Sequence, residues 1–160
     1  MSKEEEKIIK GQFYNPKKVG KYKFIKFKIS PSSILQAGLG CYTLDFIPKG
    51  SRGKYRGIYK SKDSQTVEPT YSWSIFKYNK KGKTTYNTLI GYIDGSNDKY
   101  ANWSRYVNCG EKDVDNNMEA DQNYDKLYYI ALRDIYPGEE LFIDYGIEYR
   151  RDNLKMKGKY

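Results

Sequence analysis

Short β-strand patterns separated by turn residues run through this 160-residue sequence and constrain its fold more than any other feature. Between residues 22 and 29, Ile25, Phe27 and Ile29 alternate with lysines, the two-residue period of a strand with one buried face. No segment alternates strands with long helices, as a parallel α/β sheet requires. A chain of this length buries one core, so we predict a single, mainly β domain with few short helices.

The remaining elements are predicted from the same periodicity and from turn residues. We expect strands at residues 41–46 and 54–59, paired around a turn at 48–50, and further strands at 71–78, 127–133 and 141–145. Residues 84–93 are expected to form one or two strands on either side of Gly91. A hairpin loop is predicted at 79–83, a type II turn at 136–139, a helical turn at 100–106 and a short helix at 147–153.

The sequence contains no histidine and only two cysteines, Cys41 and Cys109. Without an imidazole, hydrolysis by Ser-His-Asp or Cys-His arrangements, a histidine general base and histidine-ligated metals are excluded. Two thiols are too few for a zinc cluster. We therefore expect no bound metal and a chemistry that needs no imidazole.

The net charge of +9 is unevenly distributed. Residues 1–28 carry nine lysines against three glutamates, and residues 149–160 carry five basic residues against one aspartate. Residues 111–125 hold six carboxylates and one lysine, a composition that suits a cationic partner. The alternative interpretation of this acidic segment is a solvated loop. The basic ends could bind the phosphates of a nucleic acid.

Apolar runs in the sequence are far shorter than the roughly 20 residues that a membrane-spanning helix needs. The first residues also lack the apolar stretch of a signal peptide. These two observations predict a soluble, intracellular protein with no membrane partner.

The segment Gly38-Leu39-Gly40 is the first candidate binding site. It fails as a dinucleotide fingerprint because Thr43 stands where the third glycine is required and a strand pattern follows instead of a helix. Residues without side chains allow a ligand to approach the backbone closely. An ordinary turn is the alternative.

The segment Gly38-Leu39-Gly40 belongs to a series of motifs that follow one another along the chain. They are the glycine turn at 37–40, Tyr55-Arg56-Gly57, Tyr71-Ser72-Trp73, Asn102-Trp103-Ser104-Arg105-Tyr106-Val107-Asn108-Cys109, Leu127-Tyr128-Tyr129 and Pro137-Gly138-Glu139-Glu140-Leu141-Phe142-Ile143-Asp144-Tyr145-Gly146. Together they resemble a SET domain of the PR/SET branch over residues 35–149. The chain departs from most SET domains in having Asn108-Cys109 in place of Asn-His, and it lacks the zinc-binding cysteines that flank many of them.

The resemblance implies a SET-domain fold of small curved β-sheets with a C-terminal pseudoknot. It divides the chain into a basic N-terminal extension with one strand (1–34), the PR/SET-like domain (35–149) and a basic tail (150–160) that would close the substrate channel. The implied activity is transfer of methyl groups from S-adenosyl-L-methionine to lysine in a histone (H3-type) tail or another lysine-containing protein. This implies a location in the nucleus, or in the host nucleus for a viral protein, with the cytoplasm as an alternative.

The resemblance also assigns roles to individual residues of this chain. It implies that the catalytic residues are Tyr145, Tyr129 and Tyr55. It implies cofactor contacts from Ala37, Gly38, Leu39, Gly40, Tyr71, Asn108 and Cys109, and substrate-channel positions for Ile143, Trp73 and Tyr106. An aliphatic Ile143 leaves space for added methyl groups, so di- or trimethylation is expected.

The chemistry of methyl transfer to lysine agrees with the absence of histidine. An in-line displacement depends on alignment of the donor, the methyl group and the amine. The lysine must lose its proton, and its pKa falls when it is desolvated beside a cation. Tyrosine rings can wall such a channel while their hydroxyls orient the amine.

Two other functions remain open from the sequence alone. The chain could be a catalytically weak PR domain that acts as a protein-interaction module. It could also be a basic nucleic-acid-binding β domain. In a combined hypothesis, the basic ends hold nucleosomal DNA while residues 111–125 attract the histone tail.

Overall fold

Two antiparallel sheets form the framework of the computed structural model, which describes residues 6–15 and 22–145 apart from the side chains of Tyr22 and Asp113. The larger sheet has the order β3-β2-β1-β4-β9-β8. Its strands are β1 (Lys7–Tyr14), β2 (Tyr22–Pro31), β3 (Leu39–Thr43), β4 (Arg52–Lys54), β8 (Met118–Asn123) and β9 (Lys126–Ala131). The smaller sheet, in the order β5-β7-β6, consists of β5 (Ile58–Ser61), β6 (Ser72–Tyr78) and β7 (Thr84–Asp94). Short 3₁₀ turns cover Pro69–Tyr71, Trp103–Tyr106 and Asp113–Asp115.

The core lies on the inner face of the larger sheet, as the alternation in β2 predicts. Ile25, Phe27 and Ile29 are at most 1% exposed. The indole of Trp103 stacks on Phe27, with ring centroids 4.9 Å apart, and is itself fully buried. It lies directly against the sheet because Gly11 has no side chain: a Cβ there would come within 2.4 Å of the indole.

The C-terminal segment 140–143 passes between the edge of β3 and residues 108–118. The amide of Leu141 donates to Cys41 O at 2.8 Å, and the amide of Ile143 donates to Asn108 O at 2.9 Å. On the far side, the amides of Asn117 and Met118 both donate to Phe142 O. This insertion is the pseudoknot expected of a SET-domain fold.

Several predicted elements are confirmed. Strands β2, β6 and β9 lie at the expected positions, and β7 is one strand that runs through Gly91. The loop at 79–83 closes with a bond from the amide of Asn79 to Lys83 O. The turn at 136–139 has the expected bond from Glu139 N to Tyr136 O, with Gly138 at φ +94°.

Other predictions were wrong in detail. The segment 1–34 contains two strands, β1 and β2, and both pair within the larger sheet. The expected pairing of 41–46 with 54–59 does not occur, because β3 pairs with β2 while β4 pairs with β1 and β9. Residues 141–145 form isolated bridges and no regular strand, because their backbone hydrogen bonds are divided among several neighbouring segments. The acidic segment contains β8.

The predicted helix at 147–153 and the tail at 150–160 lie outside the described residues. Across the parts that are described, no helix has the length and apolar character needed to span a membrane. Over the same parts, no three cysteine or carboxylate side chains cluster in a way that could hold a metal ion.

A buried carboxylate, Asp94, fixes the end of β7 where the smaller sheet meets the loop before β6. It accepts hydrogen bonds from Lys60 Nζ at 2.8 Å, from the amide of Glu68 at 3.0 Å and from the amide of Ser96 at 2.9 Å. Burial opposes its ionisation, but the bonds from Lys60, Ser96 and Glu68 outweigh that effect and lower the pKa of Asp94 to about 2. Ionised Asp94 therefore holds this corner of the fold in place.

Asp94→Asn is expected to lower the free energy of unfolding by about 2 kcal/mol at neutral pH, because the carboxylate has a lower pKa when folded than the roughly 3.9 of an unfolded aspartate. This contribution is complete above the unfolded value and is lost as the pH falls toward 2. Urea unfolding measured from pH 7 down to pH 2 should show the two proteins converging. Asp125→Asn, at a half-exposed carboxylate, serves as the control and should change stability little at any pH. A constant difference across the pH range would contradict the assignment.

Candidate active site

Four aromatic side chains from separate parts of the chain meet at one pocket. Tyr55 follows β4 and is held by a bond from its amide to Leu127 O, Trp73 lies on β6, Tyr129 on β9, and Tyr145 follows the inserted C-terminal segment. The pocket encloses about 330 Å³, part of it open to solvent. Its remaining walls are formed by Thr70, Tyr71, Ser72, Ser104 and Arg105.

Trp73 is the centre of this aromatic group. Its ring meets Tyr145 edge to face at 5.7 Å and Tyr129 at 5.9 Å, and Tyr55 packs beside Tyr129 at 5.5 Å. Edge-to-face contacts of this kind are favourable and fix the relative orientation of the rings. These contacts therefore orient the rings that form the pocket walls.

The polar atoms of these rings are also held. The indole N–H of Trp73 donates to the Tyr129 hydroxyl at 2.8 Å. The Tyr55 hydroxyl donates to Tyr71 O, and the Tyr145 hydroxyl donates to Val107 O. Each hydroxyl oxygen is thus positioned by a bond to another part of the chain.

Burial keeps the phenol of Tyr55 neutral. Desolvation raises its pKa well above the ordinary tyrosine value, although the positive charge of Arg105 acts in the opposite direction. A neutral phenol can donate and accept hydrogen bonds but cannot serve as a strong base near neutral pH. The pocket can therefore position a reacting group without removing its proton through Tyr55.

Arg105 is a pocket residue that the sequence reasoning missed. Its guanidinium lies 4.4 Å from the centre of the Tyr71 ring, donates to Gly95 O at 2.9 Å and pairs with Asp98 at 2.9 Å. The available signal was its place inside the motif that begins at Asn102, which caps the 3₁₀ turn containing Arg105. A fixed cation here disfavours a second positive charge in the pocket.

The glycine turn lies at the other end of the site. The Asn108 side-chain amide donates to Leu39 O at 3.0 Å, and the amide of Ser32 donates to Gly38 O at 2.8 Å. Gly38 adopts φ +74°, a conformation that favours glycine, and no atom lies within 4 Å of where its Cβ would be. The turn is therefore open to a ligand at Gly38.

Glu140 locks the glycine turn to the C-terminal segment, a role that the sequence did not indicate. Its carboxylate accepts from the Ser32 hydroxyl at 2.6 Å, the Ser33 hydroxyl at 2.7 Å and the Ser33 amide at 2.9 Å. Gly40 leaves the space for it, since a Cβ there would lie 2.4 Å from the carboxylate. The only sequence signal was the pair of glutamates before Leu141.

The aromatic pocket and the glycine turn adjoin through two consecutive residues. Val107 accepts from the Tyr145 hydroxyl, and Asn108 contacts Leu39 while its own carbonyl accepts from Ile143 N. The structure thus brings together Tyr55, Tyr71, Trp73, Tyr129 and Tyr145 at one end of the site, and Asn108 and the turn at the other.

Three residues predicted for the site lie elsewhere or show no direct link to the pocket. Ile143 is fully buried, paired with Met118, and does not line the pocket. Tyr106 is also outside the lining; its hydroxyl lies 3.3 Å from Asp98. Cys109 is half-buried beside Asn108, with its thiol directed at the carbonyl of the next residue.

A family model described as "PR domain zinc finger protein 2, PR domain" matches residues 27–155. The human histone-lysine N-methyltransferase PRDM7 is 37% identical over 127 residues, which cover 78% of this chain and 24% of that protein. The Caenorhabditis elegans histone-lysine N-methyltransferase set-17 is 34% identical over 134 residues, which cover 83% of this chain and 45% of that protein. The chain thus spans less than half the length of these relatives.

A solved structure, the methyltransferase domain of human PR domain-containing protein 2, has the same fold. It matches with a TM-score of 0.57 and 26% sequence identity, over 76% of this chain and 77% of that domain. The family model covers most of the chain, including every motif from the glycine turn to Tyr145. The chain therefore belongs to the PR/SET branch of the SET-domain family.

Proposed function

We propose that this chain transfers methyl groups from S-adenosyl-L-methionine to a lysine side chain, in a histone tail or another lysine-containing protein. The observation that carries the proposal is the junction at Val107 and Asn108, where an aromatic pocket adjoins an accessible glycine turn. The names of the human and nematode relatives, both histone-lysine N-methyltransferases, support the same activity. A histone substrate would place the protein in the nucleus.

The residues around the glycine turn fit the proposed cofactor. Gly38 is open on its side-chain face, so a methionine group could approach the backbone of the turn formed by Ala37, Gly38, Leu39 and Gly40 at that position. Asn108 and Cys109 would receive the adenine end, with Asn108 already fixed by its bond to Leu39. When bound, S-adenosyl-L-methionine supplies an electrophilic methyl group on a sulfonium. Tyr71 is proposed to lie beside it.

The aromatic pocket would bind the substrate lysine. Tyr55, Trp73 and Tyr129 would exclude water from its side chain, and desolvation lowers the pKa of an amine. The cation of Arg105 at the wall of the pocket acts in the same direction. The chain would thus favour the neutral, nucleophilic amine without a general base.

Tyr145 would orient the amine at the junction between the pocket and the turn. Its hydroxyl is held by Val107 O, next to the residue that contacts the turn, so its oxygen is set in position before substrate binds. Tyr145 would thus contribute alignment of the reacting groups, which can account for a large part of the rate of such a reaction.

Tyr145→Phe removes that hydroxyl and is expected to lower methyl transfer to core histones by roughly 10²-fold, because a misplaced reacting group costs about that much. The measurement is transfer of radiolabelled methyl under single-turnover conditions. Tyr136→Phe, which removes a hydroxyl from an exposed ring, is the matched control and should keep full activity. Equal rates for both variants and the wild type would refute the role of Tyr145.

Calorimetry distinguishes the proposed methyltransferase from the alternative function, a protein-interaction module with weak or no activity. A methyltransferase should bind S-adenosyl-L-methionine and transfer its methyl group, whereas a module binds a histone peptide without transfer. The held hydroxyls and the accessible turn favour the enzyme, since an interaction surface needs neither.

The aliphatic Ile143 leads us to expect di- and trimethylated products. It carries no hydroxyl that could fix a water, and the expectation rests on its place two residues before Tyr145 in the motif, because its side chain is fully buried among apolar neighbours and lies outside the pocket lining. Mass spectrometry of a histone peptide over a long reaction should therefore show masses beyond the first methyl group. Accumulation of monomethyl-lysine alone, with unmodified peptide exhausted, would contradict this expectation.

The acidic segment 111–125 is proposed to attract a cationic histone tail. Glu111 and Glu119 are exposed there. Glu111→Lys and Glu119→Lys should each weaken peptide binding at low salt, about two- to fivefold, with the difference shrinking at high salt. Asp63→Lys, at an exposed carboxylate of another loop, is the control for the change in net charge. If the affinity for the peptide is unchanged, the acidic segment is only a solvated surface.

The proposed contact of the basic ends with nucleosomal DNA falls largely on residues outside those described.

A further inference from the structure

A second recess opens on the outer face of the larger sheet, where β1 and β4 separate. These strands pair only at Phe13↔Gly53 and Tyr14↔Arg52, whereas β1 pairs with β2 along its full length. Between the separating strands lies a groove of about 1430 Å³, part of it open solvent, which we call the β1–β4 groove. Its lining shares no residue with the aromatic pocket.

The lining of the β1–β4 groove is strongly cationic. Within the described part of the chain, Lys10, Arg52, Lys54 and Arg56 line it and no carboxylate does. The pKa of Lys54 is lowered by burial and then by the charges of Lys126 and Arg56, while Asp125 offsets this only in part. The positive charges of the groove therefore repel each other in the free protein, and an anion would relieve that repulsion.

Two buried donors in the groove lack acceptors. Trp103 is fully buried, and its indole N–H has no hydrogen-bond partner. The Nε of Arg52 is likewise buried without one. Buried N–H groups in native proteins are nearly always paired, so two orphans in one lining indicate an acceptor that arrives from outside. Phosphate oxygens are strong acceptors for both groups.

Aromatic rings border the same groove. Phe24 is 63% exposed on β2, and the rings of Tyr14 and Tyr128 lie nearby on β1 and β9. An exposed phenylalanine beside cations is typical of surfaces on which unpaired bases stack while the backbone phosphates are neutralised. The bases of a duplex are already stacked on each other and cannot cover such a ring.

We propose that the β1–β4 groove binds single-stranded nucleic acid. Phosphates would contact Lys10 and Lys54, whose lining also holds the two orphan donors, and a base would stack on Phe24. The proposal does not depend on methyl transfer, because the groove and the aromatic pocket have separate linings.

The charge part of the proposal is tested by fluorescence anisotropy with a labelled single-stranded DNA of about 12 nucleotides, within the usual range of site sizes. Lys10→Gln with Lys54→Gln should weaken binding at least tenfold and reduce the slope of log affinity against log salt by about 1.4, the contribution of two phosphate contacts. The control, Lys49→Gln with Lys62→Gln, removes two exposed charges outside the groove and should change affinity less than twofold. Equal losses in both double variants would mean attraction by net charge and would overturn the proposal.

The stacking part is tested with Phe24→Ser, which leaves the net charge unchanged. It should weaken single-strand binding about fivefold or more and leave duplex binding unaltered. Tighter binding of duplex than of single strand, with no effect of this substitution, would overturn the proposal.

The location of the ligand is tested by NMR, since the chain has two tryptophans and therefore two indole N–H signals. Oligonucleotide should shift the Trp103 signal, which has no partner in the free protein, and leave that of Trp73, which is bonded to Tyr129, in place. Trp73→Phe assigns the two signals. Saturating oligonucleotide that leaves the Trp103 signal unmoved would place binding elsewhere and overturn the proposal.

Discussion

The insertion of residues 140–145 between β3 and residues 108–118 is the constraint on which the candidate site depends. Glu140 at one end of this segment binds Ser32 and Ser33 and so fixes the glycine turn. Tyr145 at the other end binds Val107 O and so completes the aromatic pocket. One stretch of six residues therefore sets the distance between the two halves of the site. Loss of either anchor would separate a turn suited to a cofactor from a pocket suited to a side chain.

The proposed methyl transfer depends on position and desolvation. Its hydroxyls are committed to fixed partners, and the phenol of Tyr55 is held neutral by burial. The charged residue in the described pocket lining is Arg105, which is held by contacts with Gly95 and Asp98. These features favour a neutral amine over an ammonium without a base that cycles its proton. The absence of histidine, which excluded many enzyme classes from the sequence alone, is therefore compatible with the proposed methyl transfer.

The sequence predicted those parts that local pattern or motif determines. The alternation in β2 gave its buried face, and the motif order indicated that Tyr129 and Tyr145 would meet. Strand β1 was missed because Gly11 interrupts the apolar face where the sheet accommodates Trp103, and because Ile8 is exposed on the other face. Strand β8 was hidden by its two carboxylates, of which Glu119 is exposed and Asp121 is half-buried. The contacts of Glu140 and Arg105 join residues far apart in the chain or depend on a turn's geometry, so no local pattern could reveal them.

Trp103 shows how the two recesses of the molecule are kept apart. Its ring fills the space left by Gly11 and Gly53, where any Cβ would collide with it, and meets Tyr129 edge to face at 5.9 Å. The indole thus supports a wall of the aromatic pocket, and Trp103 is also one of the residues that line the β1–β4 groove. Packing accounts for the size of the indole but not for its unpaired N–H, because an unpaired polar atom costs free energy to bury. Retaining an unpaired N–H at this position is costly in the free protein, and it is explained most simply if an acceptor occupies the groove during function.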